Sequence, residues 1–237
     1  MLVKTEGIVL RTIKYSETSI ITKIFTRELG LQSYLVKGVR GEKSKNKAVV
    51  FLPGNILEID VYKRNNKELQ FLKEFRFKTI YNSVTFNIIK SSMMIFIMEI
   101  LNKALKEEET NEQLYEFLEK SFLHLDAYKE INLNFHLHFL MQLTAYLGFI
   151  PSENYNEEYG YFDLSEGVFL NNTVGRLNCL DAAYSKWLND LLQNNHLEGI
   201  NNATRETLLN YILQYYSLHL PNFTDIKSHK ILHEVLH

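Results

Sequence analysis

The sequence predicts a multidomain α+β protein in which a five-stranded OB-fold β-barrel over residues 1–80 precedes an all-α helical domain over residues 81–237. The first part contains five short runs of β-branched, aromatic or alternating residues, whereas the second has apolar residues at three- and four-residue spacing. The charge changes at the same place: residues 1–80 hold 16 Lys and Arg against 8 Asp and Glu, and residues 81–237 hold 10 against 20. A net charge of +8 followed by −10 favours a nucleic-acid partner for the first part.

Five short strands account for the predicted barrel. The clearest pair is the last, because residues 57–63 alternate between apolar and polar, and Phe71, Phe75 and Phe77 continue the alternation with a break at Lys73. This pattern predicts a hairpin with one face buried. Five strands within about eighty residues match the size of a small closed barrel, for which an OB-fold is the economical choice. The strands are predicted at residues 3–12, 19–27, 31–36, 57–63 and 69–77.

Helical spacing begins after the barrel, and six helices are predicted. The segment 132–147 is apolar nearly all round, which indicates a helix covered on most sides, and Gly148 with Pro151 ends it. Residues 152–178 contain turn residues and short aromatic runs, which predict an irregular insertion with a hairpin at residues 161–170. The helices are predicted at residues 83–106, 111–125, 132–147, 181–193, 202–218 and 225–236.

The composition excludes several classes of protein. No apolar run reaches the roughly eighteen residues that a membrane span needs, and the N-terminus lacks the features of an export signal. A cytoplasmic protein with no membrane partner is therefore expected. Cys179 is the single cysteine, which excludes an internal disulfide and a zinc site built from cysteines. It opens a helical pattern, so a buried structural thiol is expected.

The segment 34–47, YLVKGVRGEKSKNK, carries five cations against one acid, Glu42. Gly38 and Gly41 stand where a strand would run out into a loop. Such a segment suits a polyanion, and the alternative is a solvated loop that needs charge to stay soluble. The basic excess of the surrounding eighty or so residues favours the polyanion. The five cations are Lys37, Arg40, Lys43, Lys45 and Lys47.

Further cations and tyrosines of the first domain extend this candidate site. Cations that follow a phosphate backbone, beside aromatic rings, are what sequence-tolerant binding of single strands requires. Lys23, Arg27 and Tyr15 are candidates for the same groove. Tyr34 is a candidate stacking residue, and its alternative role is packing inside the barrel. The predicted DNA-binding set is Arg11, Lys14, Tyr34, Lys37, Arg40, Lys43, Lys45 and Lys47.

Motifs that carry catalytic chemistry are weak in this sequence. The C-terminal HEVLH, from His233 to His237, matches the zinc-protease pattern H-E-x-x-H, but no third ligand follows and a terminal turn frays, so coincidence is favoured. His136 and His138 lie two apart on a helix and cannot chelate together, so each is expected in the core or at its rim. No nucleotide-binding loop, nucleophile elbow or paired-carboxylate motif is present. We predict no enzyme, no catalytic residue, no cofactor and no metal.

Four short motifs occur in order near the N-terminus: I-V-L-R-T, Y-x-E-x-S, F-T-x-E-x-G and K-G-x-R. In this order and spacing they resemble the opening of the bacterial recombination mediators of the RecO family. Weaker similarity continues through LGFIP, YFDLSEGVF and HLPNFTDIKS, so the resemblance spans the chain. The four motifs occupy residues 8–12, 15–19, 25–30 and 37–40, and the later segments occupy 147–151, 161–169 and 219–228.

The resemblance implies a non-enzymatic mediator of DNA repair and recombination, with an OB-fold followed by an α-helical domain. Such a protein would bind single- and double-stranded DNA, promote strand annealing, and act with RecR to load RecA onto DNA coated by single-strand-binding protein. It would act in the cytoplasm, at the bacterial nucleoid. The helical half would hold the protein partners, and the acidic C-terminal tail of the single-strand-binding protein would need an apolar pocket with a cationic rim. The open candidates for that rim are Arg176, Lys186, Lys227 and Lys230.

One departure from the family pattern concerns zinc. Many members carry four cysteines after the L-G-F-x-P segment, whereas residues 152–178 contain none. We therefore expect an insertion without zinc, held by Tyr159, Tyr161, Phe162 and Phe169. Two rival functions stay open: an OB-fold protein that binds structured RNA and would prefer A-form shape, and a metalloprotease acting through His233 and His237.

Overall fold

The computed structural model describes residues 1–40, 47–64, 67–106 and 110–236, and it confirms the predicted barrel followed by helices. The barrel strands are β1 (Leu2–Lys14), β2 (Ile20–Thr26), β3 (Gly30–Val36), β4 (Ile56–Tyr62) and β5 (Leu69–Phe77). They form a closed barrel in the order β1-β2-β3-β5-β4. Neighbouring strands are antiparallel except β3 and β5, which run parallel, and β4 pairs with β1 to close the sheet. This is the strand arrangement of the predicted OB-fold.

The barrel interior is filled by apolar side chains from every strand. Val9, Ile24 and Val61 have no exposed surface. A short 3₁₀ helix, Ala48–Phe51, is tied to β1 because Thr12 Oγ1 donates a hydrogen bond to the Phe51 carbonyl at 2.8 Å. Burial of each such side chain contributes roughly 2 kcal/mol, so this interior is the main source of barrel stability.

A β-bulge in β1 changes the direction in which its side chains point. Val9 pairs with Ile24 and Arg11 pairs with Lys23, which leaves Leu10 as an extra residue. Without an extra residue, side chains two apart on a strand point to the same face. Val9 faces the core and Arg11 is exposed, so the bulge brings Arg11 to the outer surface.

A second bulge lies in β5. Leu72 and Glu74 pair with consecutive residues of β4, which leaves Lys73 as the extra residue. Phe75 packs against the barrel core, whereas Phe71 lies on the other face of the strand. The prediction that Phe71 shares a buried face with Phe75 is therefore wrong. The alternation along the strand shows a break at Lys73 but not that the break reverses the face.

Two helices complete the first compact unit, which spans Met1–Lys129. They are α1 (Ile88–Ala104) and α2 (Glu112–Ala127). Asn87 caps α1, because its side chain accepts hydrogen bonds from the backbone N–H groups of Ile89 and Lys90, and Asn111 caps α2 in the same way. Both helices begin within a few residues of the predicted positions.

The segment that leads from β5 to α1 is held by the end of α2. The Asp126 carboxylate accepts hydrogen bonds from the backbone N–H groups of Asn82, Ser83 and Val84 at 2.8 to 2.9 Å. Burial raises the pKa of Asp126, but these backbone hydrogen bonds outweigh it and lower the pKa overall. The buried ammonium of Lys90 donates to Ser83 Oγ at 2.8 Å and to the Asp126 carbonyl at 3.1 Å.

The second compact unit spans Glu130–His237 and is organised around an apolar helix. Its elements are α3 (Phe135–Leu147), β6 (Tyr161–Asp163), β7 (Val168–Leu170), α4 (Ala182–Leu192), α5 (Asn202–His219) and α6 (Ser228–Leu236). Along α3, Ala145 is the one exposed position, which confirms the predicted covered helix. It ends at Gly148 in the left-handed conformation, with φ of 83°. The predicted hairpin in the insertion is confirmed as β6 and β7.

The compact units and the predicted domains divide the chain at different places. The predicted boundary at residue 80 marks the change from strands to helices, whereas the first compact unit also includes α1 and α2. No helix among the described residues is long and apolar enough to cross a membrane.

Candidate nucleic-acid interface

The outer surface of the barrel carries a row of apolar side chains that crosses all five strands. Strand pairing places them side by side: Ile13 pairs with Ile21, Ile21 with Leu35, Leu35 with Phe71, and Phe71 with Tyr62. Ile13 and Tyr62 are 45% and 44% exposed at the two ends, Phe71 is half-buried, and Leu35 is buried beneath its neighbours at 8% exposed. We call Ile13, Ile21, Leu35, Phe71 and Tyr62 the apolar row.

Two cations lie over the Phe71 ring. The distance from the ring centroid is 5.5 Å to Lys37 Nζ and 4.9 Å to Arg64 Cζ, so both make cation–π contacts. Lys37 follows β3 and Arg64 follows β4. Because β3 is parallel to β5 and β4 is antiparallel to it, the two cations reach Phe71 from opposite sides of the apolar row.

Arg64 is held in place by a buried glutamine. The Gln70 side chain is 4% exposed, accepts a hydrogen bond from the Arg64 backbone N–H at 2.9 Å, and donates to the Arg64 carbonyl at 3.0 Å. Its amide also donates to the Lys67 carbonyl at 2.6 Å. These bonds fix the two ends of the β4–β5 connection, and thereby the backbone from which Arg64 reaches Phe71.

The other predicted cations surround the same surface. Arg11 is exposed beside Lys23 on the neighbouring strand, and Lys14 and Lys47 are exposed. Arg40 Nη1 donates a hydrogen bond to a backbone carbonyl of the β1–β2 turn at 3.1 Å. The predicted cations Lys43 and Lys45 lie outside the described residues. We call Arg11, Lys14, Lys37, Arg40, Lys47 and Arg64 the basic rim.

The basic rim keeps its charge available. Within the part of the chain that the structure describes, none of its six cations forms an ion pair with a carboxylate. Positive charge that the protein does not neutralise raises the local concentration of polyanions. The apolar row with its basic rim therefore has the two components of a single-strand binding surface, cations for phosphates and flat apolar contacts for bases.

Arg27, by contrast, is neutralised by the protein itself. Its guanidinium forms ion pairs with Glu6 and Glu112 at 3.2 Å and with Glu119 at 3.4 Å, and it lies 4.8 Å from the centre of the Tyr115 ring. Burial lowers the pKa of Arg27, and the carboxylates more than offset this, so the pKa is raised overall. The expectation that Arg27 lines the DNA groove is therefore wrong, because its charge joins β2 to α2.

Another groove of the barrel, of about 650 Å³, has the wrong charge for DNA. It is lined by residues of β1, β4 and β5, and its carboxylates outnumber its cations by five to three. Arg76 in this groove is paired with Glu58. Negative potential here repels phosphates, so the groove does not compete with the basic rim as a DNA surface. Its charged residues are Glu6, Glu28, Glu58, Asp60, Glu74, Lys4, Arg27 and Arg76.

Tyr34 does not lie on this surface. Its side chain has no exposed area and packs in the barrel core, and burial raises the pKa of its hydroxyl. The prediction that Tyr34 offers a stacking face is wrong, because it pairs with inward-facing Thr22 and its neighbours Ser33 and Leu35 take the outer positions. Tyr15, in the β1–β2 turn, is 60% exposed.

Comparison with known proteins identifies the family. The family model described as "Recombination protein O N terminal" matches residues 1–81, and "Recombination protein O C terminal" matches residues 85–228. The chain belongs to the RecO family. It is 38% identical to the DNA repair protein RecO of Flavobacterium psychrophilum over 238 residues, and 35% identical to those of Flavobacterium johnsoniae and Bacteroides fragilis, with 99% of each chain covered. RecO proteins are DNA repair and recombination proteins, and this chain is one of them.

Sequence reasoning missed three residues of the surface in this RecO-family protein. The alternation predicts a buried face for Phe71, and it predicts no role for Arg64 or Tyr62. The break in alternation at Lys73 was the available signal for Phe71, since a break of this kind indicates a bulge. No signal pointed to Arg64, because its contact with Phe71 depends on how β4 and β5 pair.

The insertion, residues 152–178, contains no cysteine. Hydrogen bonds and aromatic contacts hold it together. The Asn154 side chain donates to the Phe169 carbonyl at 2.8 Å and accepts from the Phe169 backbone N–H at 3.0 Å. The Phe169 ring lies 4.9 Å from Phe162 and 5.2 Å from Tyr155. The expected contribution of Phe162 and Phe169 is confirmed, whereas Tyr159 is 37% exposed. Among the described residues, no three His, Cys, Asp or Glu side chains are placed to hold a metal ion.

Two of the histidines that the sequence analysis considered, His136 and His233, contact or approach other protein groups. His136 is buried, as expected, and burial lowers its pKa to about 3, with the Arg205 guanidinium and His138 adding to the effect. His233 lies on α6 with its Nδ1 3.2 Å from a Glu206 carboxylate oxygen. His237, the second histidine of HEVLH, lies outside the described residues.

Proposed function

We propose that this RecO-family protein is a non-enzymatic recombination mediator that binds single- and double-stranded DNA on the outer face of its barrel. The observation that carries the proposal is the division of charge around the barrel. The six cations of the basic rim are unpaired with carboxylates within the described residues, whereas Arg27, Arg76 and Lys78 on other faces are paired. Both kinds of DNA present phosphates, so the basic rim serves both.

The same surface suits the annealing of complementary strands. Cations that hold phosphates leave the pairing edges of the bases free, and they reduce the repulsion between two strands that approach each other. Stacking on the apolar row holds bases by their faces rather than by their edges. The barrel thus holds a strand in a form that a second strand can pair with.

Protein partners complete the proposed role. With RecR, the protein would help to load RecA onto DNA coated by single-strand-binding protein, acting in the cytoplasm at the nucleoid. Of the candidates for a cationic rim around the acidic tail of the single-strand-binding protein, Arg176 pairs with Asp163 and Lys186 with Asp190. All four candidates stay open, so we assign the tail to the second compact unit without choosing its pocket.

The test is the salt dependence of DNA binding by the full chain, compared with two variants of equal charge change. The rim variant replaces Arg11, Lys37, Lys47 and Arg64 by alanine. The control variant replaces Lys4, Lys73, Arg76 and Lys120, which are exposed cations outside the rim. For single-stranded DNA, each lost phosphate contact flattens the slope of log K against log salt by about 0.7. The slope of the rim variant, which lacks four cations, should therefore be flatter than that of the wild type by up to about 2.8.

The control variant should bind with nearly the slope of the wild type. Equal losses in the two variants would mean that net charge alone governs binding, which would contradict a DNA surface on the basic rim. Tighter binding of A-form RNA duplex than of single-stranded DNA would support the rival RNA-binding function instead.

A further inference from the structure

Phe71 occupies the central position of the DNA surface. It is the aromatic residue at the middle of the outer β3–β5–β4 strip, with Leu35 beside it on one strand and Tyr62 on the other. Its ring is half-buried, so one part packs on the barrel and another is open to a ligand. The open part is where the two cations of the basic rim, Lys37 and Arg64, approach the ring.

We propose that Phe71 is the residue that distinguishes unpaired from paired DNA, by stacking on an unpaired base while Lys37 and Arg64 move to the flanking phosphates. The inference rests on the proposed function, since it concerns the same surface. It assigns separate roles: the basic rim binds the phosphates of any DNA, and Phe71 binds only a base that is free to stack.

The exchange is favourable for a physical reason. A cation over an aromatic ring at an exposed site gains less than a base stacked on the same ring, and a cation gains more from a phosphate than from a ring. A single strand offers both new contacts at once, because each nucleotide carries one phosphate and one base. In a duplex the bases are already stacked on each other, so the cations gain phosphates while Phe71 gains nothing.

Lys37 and Arg64, the two cations that flank Phe71, are placed so that their side chains can move from the ring to a phosphate. Lys37 extends from the end of β3 and is exposed, so its ammonium can leave the ring without any change in the barrel. Arg64 has its backbone fixed by Gln70, so only its side chain needs to move. The ring itself stays in place because β5 is paired on both sides.

The experiment compares three ligands of equal length: oligo(dT), a strand of abasic deoxyribose phosphates, and a duplex. Phe71→Leu in the full chain should weaken binding of oligo(dT) by about tenfold, within a range of about fivefold to a hundredfold for one stacked base. Binding of the abasic strand and of the duplex should not weaken, since neither offers Phe71 a base to stack on. Phe71→Tyr, which keeps a ring, should bind oligo(dT) as the wild type does.

The matched control is Phe86→Leu, the same replacement at a phenylalanine that is 85% exposed and lies outside the apolar row. It should leave all three ligands unaffected. If Phe71→Leu loses affinity for all three alike, or for none, Phe71 does not select unpaired bases and the inference is overturned. A wild type that binds oligo(dT) with a steep salt dependence, together with a Phe71→Leu variant of unchanged affinity for oligo(dT), would reject the role of Phe71 and leave the proposed function intact. A wild type that binds no DNA would reject both.

Discussion

Arg11 and Arg27 show that the same residue type in one barrel serves opposite purposes. Arg11 is exposed on the outer face and has no carboxylate partner among the described residues, whereas Arg27 is surrounded by Glu6, Glu112 and Glu119. The charge of Arg11 is available to a ligand, and the charge of Arg27 is used within the fold. A count of cations along the sequence cannot separate the two.

Replacing each arginine by alanine should therefore have opposite effects. Arg27→Ala should lower the free energy of unfolding by about 1–2 kcal/mol, since the partly buried carboxylates of Glu6 and Glu119 then have only Lys78 as a cation. It should leave DNA binding unchanged. Arg11→Ala should leave stability unchanged and flatten the salt slope for single-stranded DNA by about 0.7. Denaturant unfolding and DNA titration of both variants check this. The same slope for both variants would contradict it.

His136 gives the protein a specific sensitivity to acid. Its pKa is lowered by burial from 6.5 to about 3, so the folded state keeps it neutral while the unfolded chain takes up a proton below pH 6.5. The stability of the folded state with neutral His136 is fully present above pH 6.5. It is lost as the pH falls from 6.5 towards 3, because only the unfolded chain binds the proton there. His136→Gln should thus reduce the loss of stability between pH 6.5 and 5 by on the order of 2 kcal/mol, measured by denaturant unfolding at each pH. Identical pH profiles for variant and wild type would refute this assignment.

The β5 bulge is the element that gives the candidate DNA surface its aromatic centre. With Lys73 as an extra residue, Phe71 lies outside and Phe75 inside the barrel. A regular strand would place both on one face, and either the core or the surface would lose a ring.

Deletion of Lys73 tests the bulge directly. The deletion forces one phenylalanine to the wrong face or shifts the pairing with β4, and it should cost several kcal/mol of unfolding free energy, since exposing one such side chain costs about 2 kcal/mol. Lys73→Ala keeps the backbone length and removes only an exposed side chain, so it should stay within about 0.5 kcal/mol of the wild type. Similar stability of the deletion and the substitution would show that the bulge is dispensable.

The insertion should be stable without metal because Asn154 clamps it. Asn154→Ala removes both hydrogen bonds to the Phe169 backbone and should cost about 1–3 kcal/mol, since it leaves polar backbone groups without partners. A chelator should leave the melting temperature of the wild type unchanged. Asn156→Ala serves as a control, since Asn156 is an exposed neighbour that does not bond to Phe169. A large drop in melting temperature with chelator would reveal a metal.

At the scale of the whole molecule, the first compact unit is larger than the barrel. Phe25 of β2 lies 6.3 Å from Tyr115 of α2, and Tyr81 donates a hydrogen bond to the Gly54 carbonyl at 2.8 Å. A Cβ at Gly54 would lie 2.5 Å from a Met94 side-chain atom, so α1 packs directly on the chain there. These contacts cover apolar surface that the barrel by itself would expose.

The fragment 1–129 should therefore fold cooperatively, and the fragment 1–80 should not. Thermal unfolding followed by circular dichroism distinguishes them: the longer fragment should show a single sharp transition and the shorter one a broad or absent transition. A sharp transition in the fragment 1–80 would instead place the folding boundary at the change from strands to helices.

The sequence by itself determined the five barrel strands, the six α-helices and the family. Alternating residues marked the strands, three- and four-residue spacing marked the helices, and Gly148 marked the end of α3, because these signals depend only on neighbours along the chain. The four N-terminal motifs indicated the RecO family, and the family models that match residues 1–81 and 85–228 confirm it. The excess of cations in residues 1–80 also indicated the charge of the candidate surface.

Only the tertiary structure decided which of those residues share the candidate surface. Two extra residues, Leu10 and Lys73, set the direction of Arg11 and Phe71, and their effect depends on the strand opposite. The charge of Arg27 is neutralised by carboxylates of α2, which lie more than eighty residues further along the chain. A sequence records which side chains are present, but the direction of a side chain and the neutralisation of a charge are set by residues that are distant in the chain and close in space.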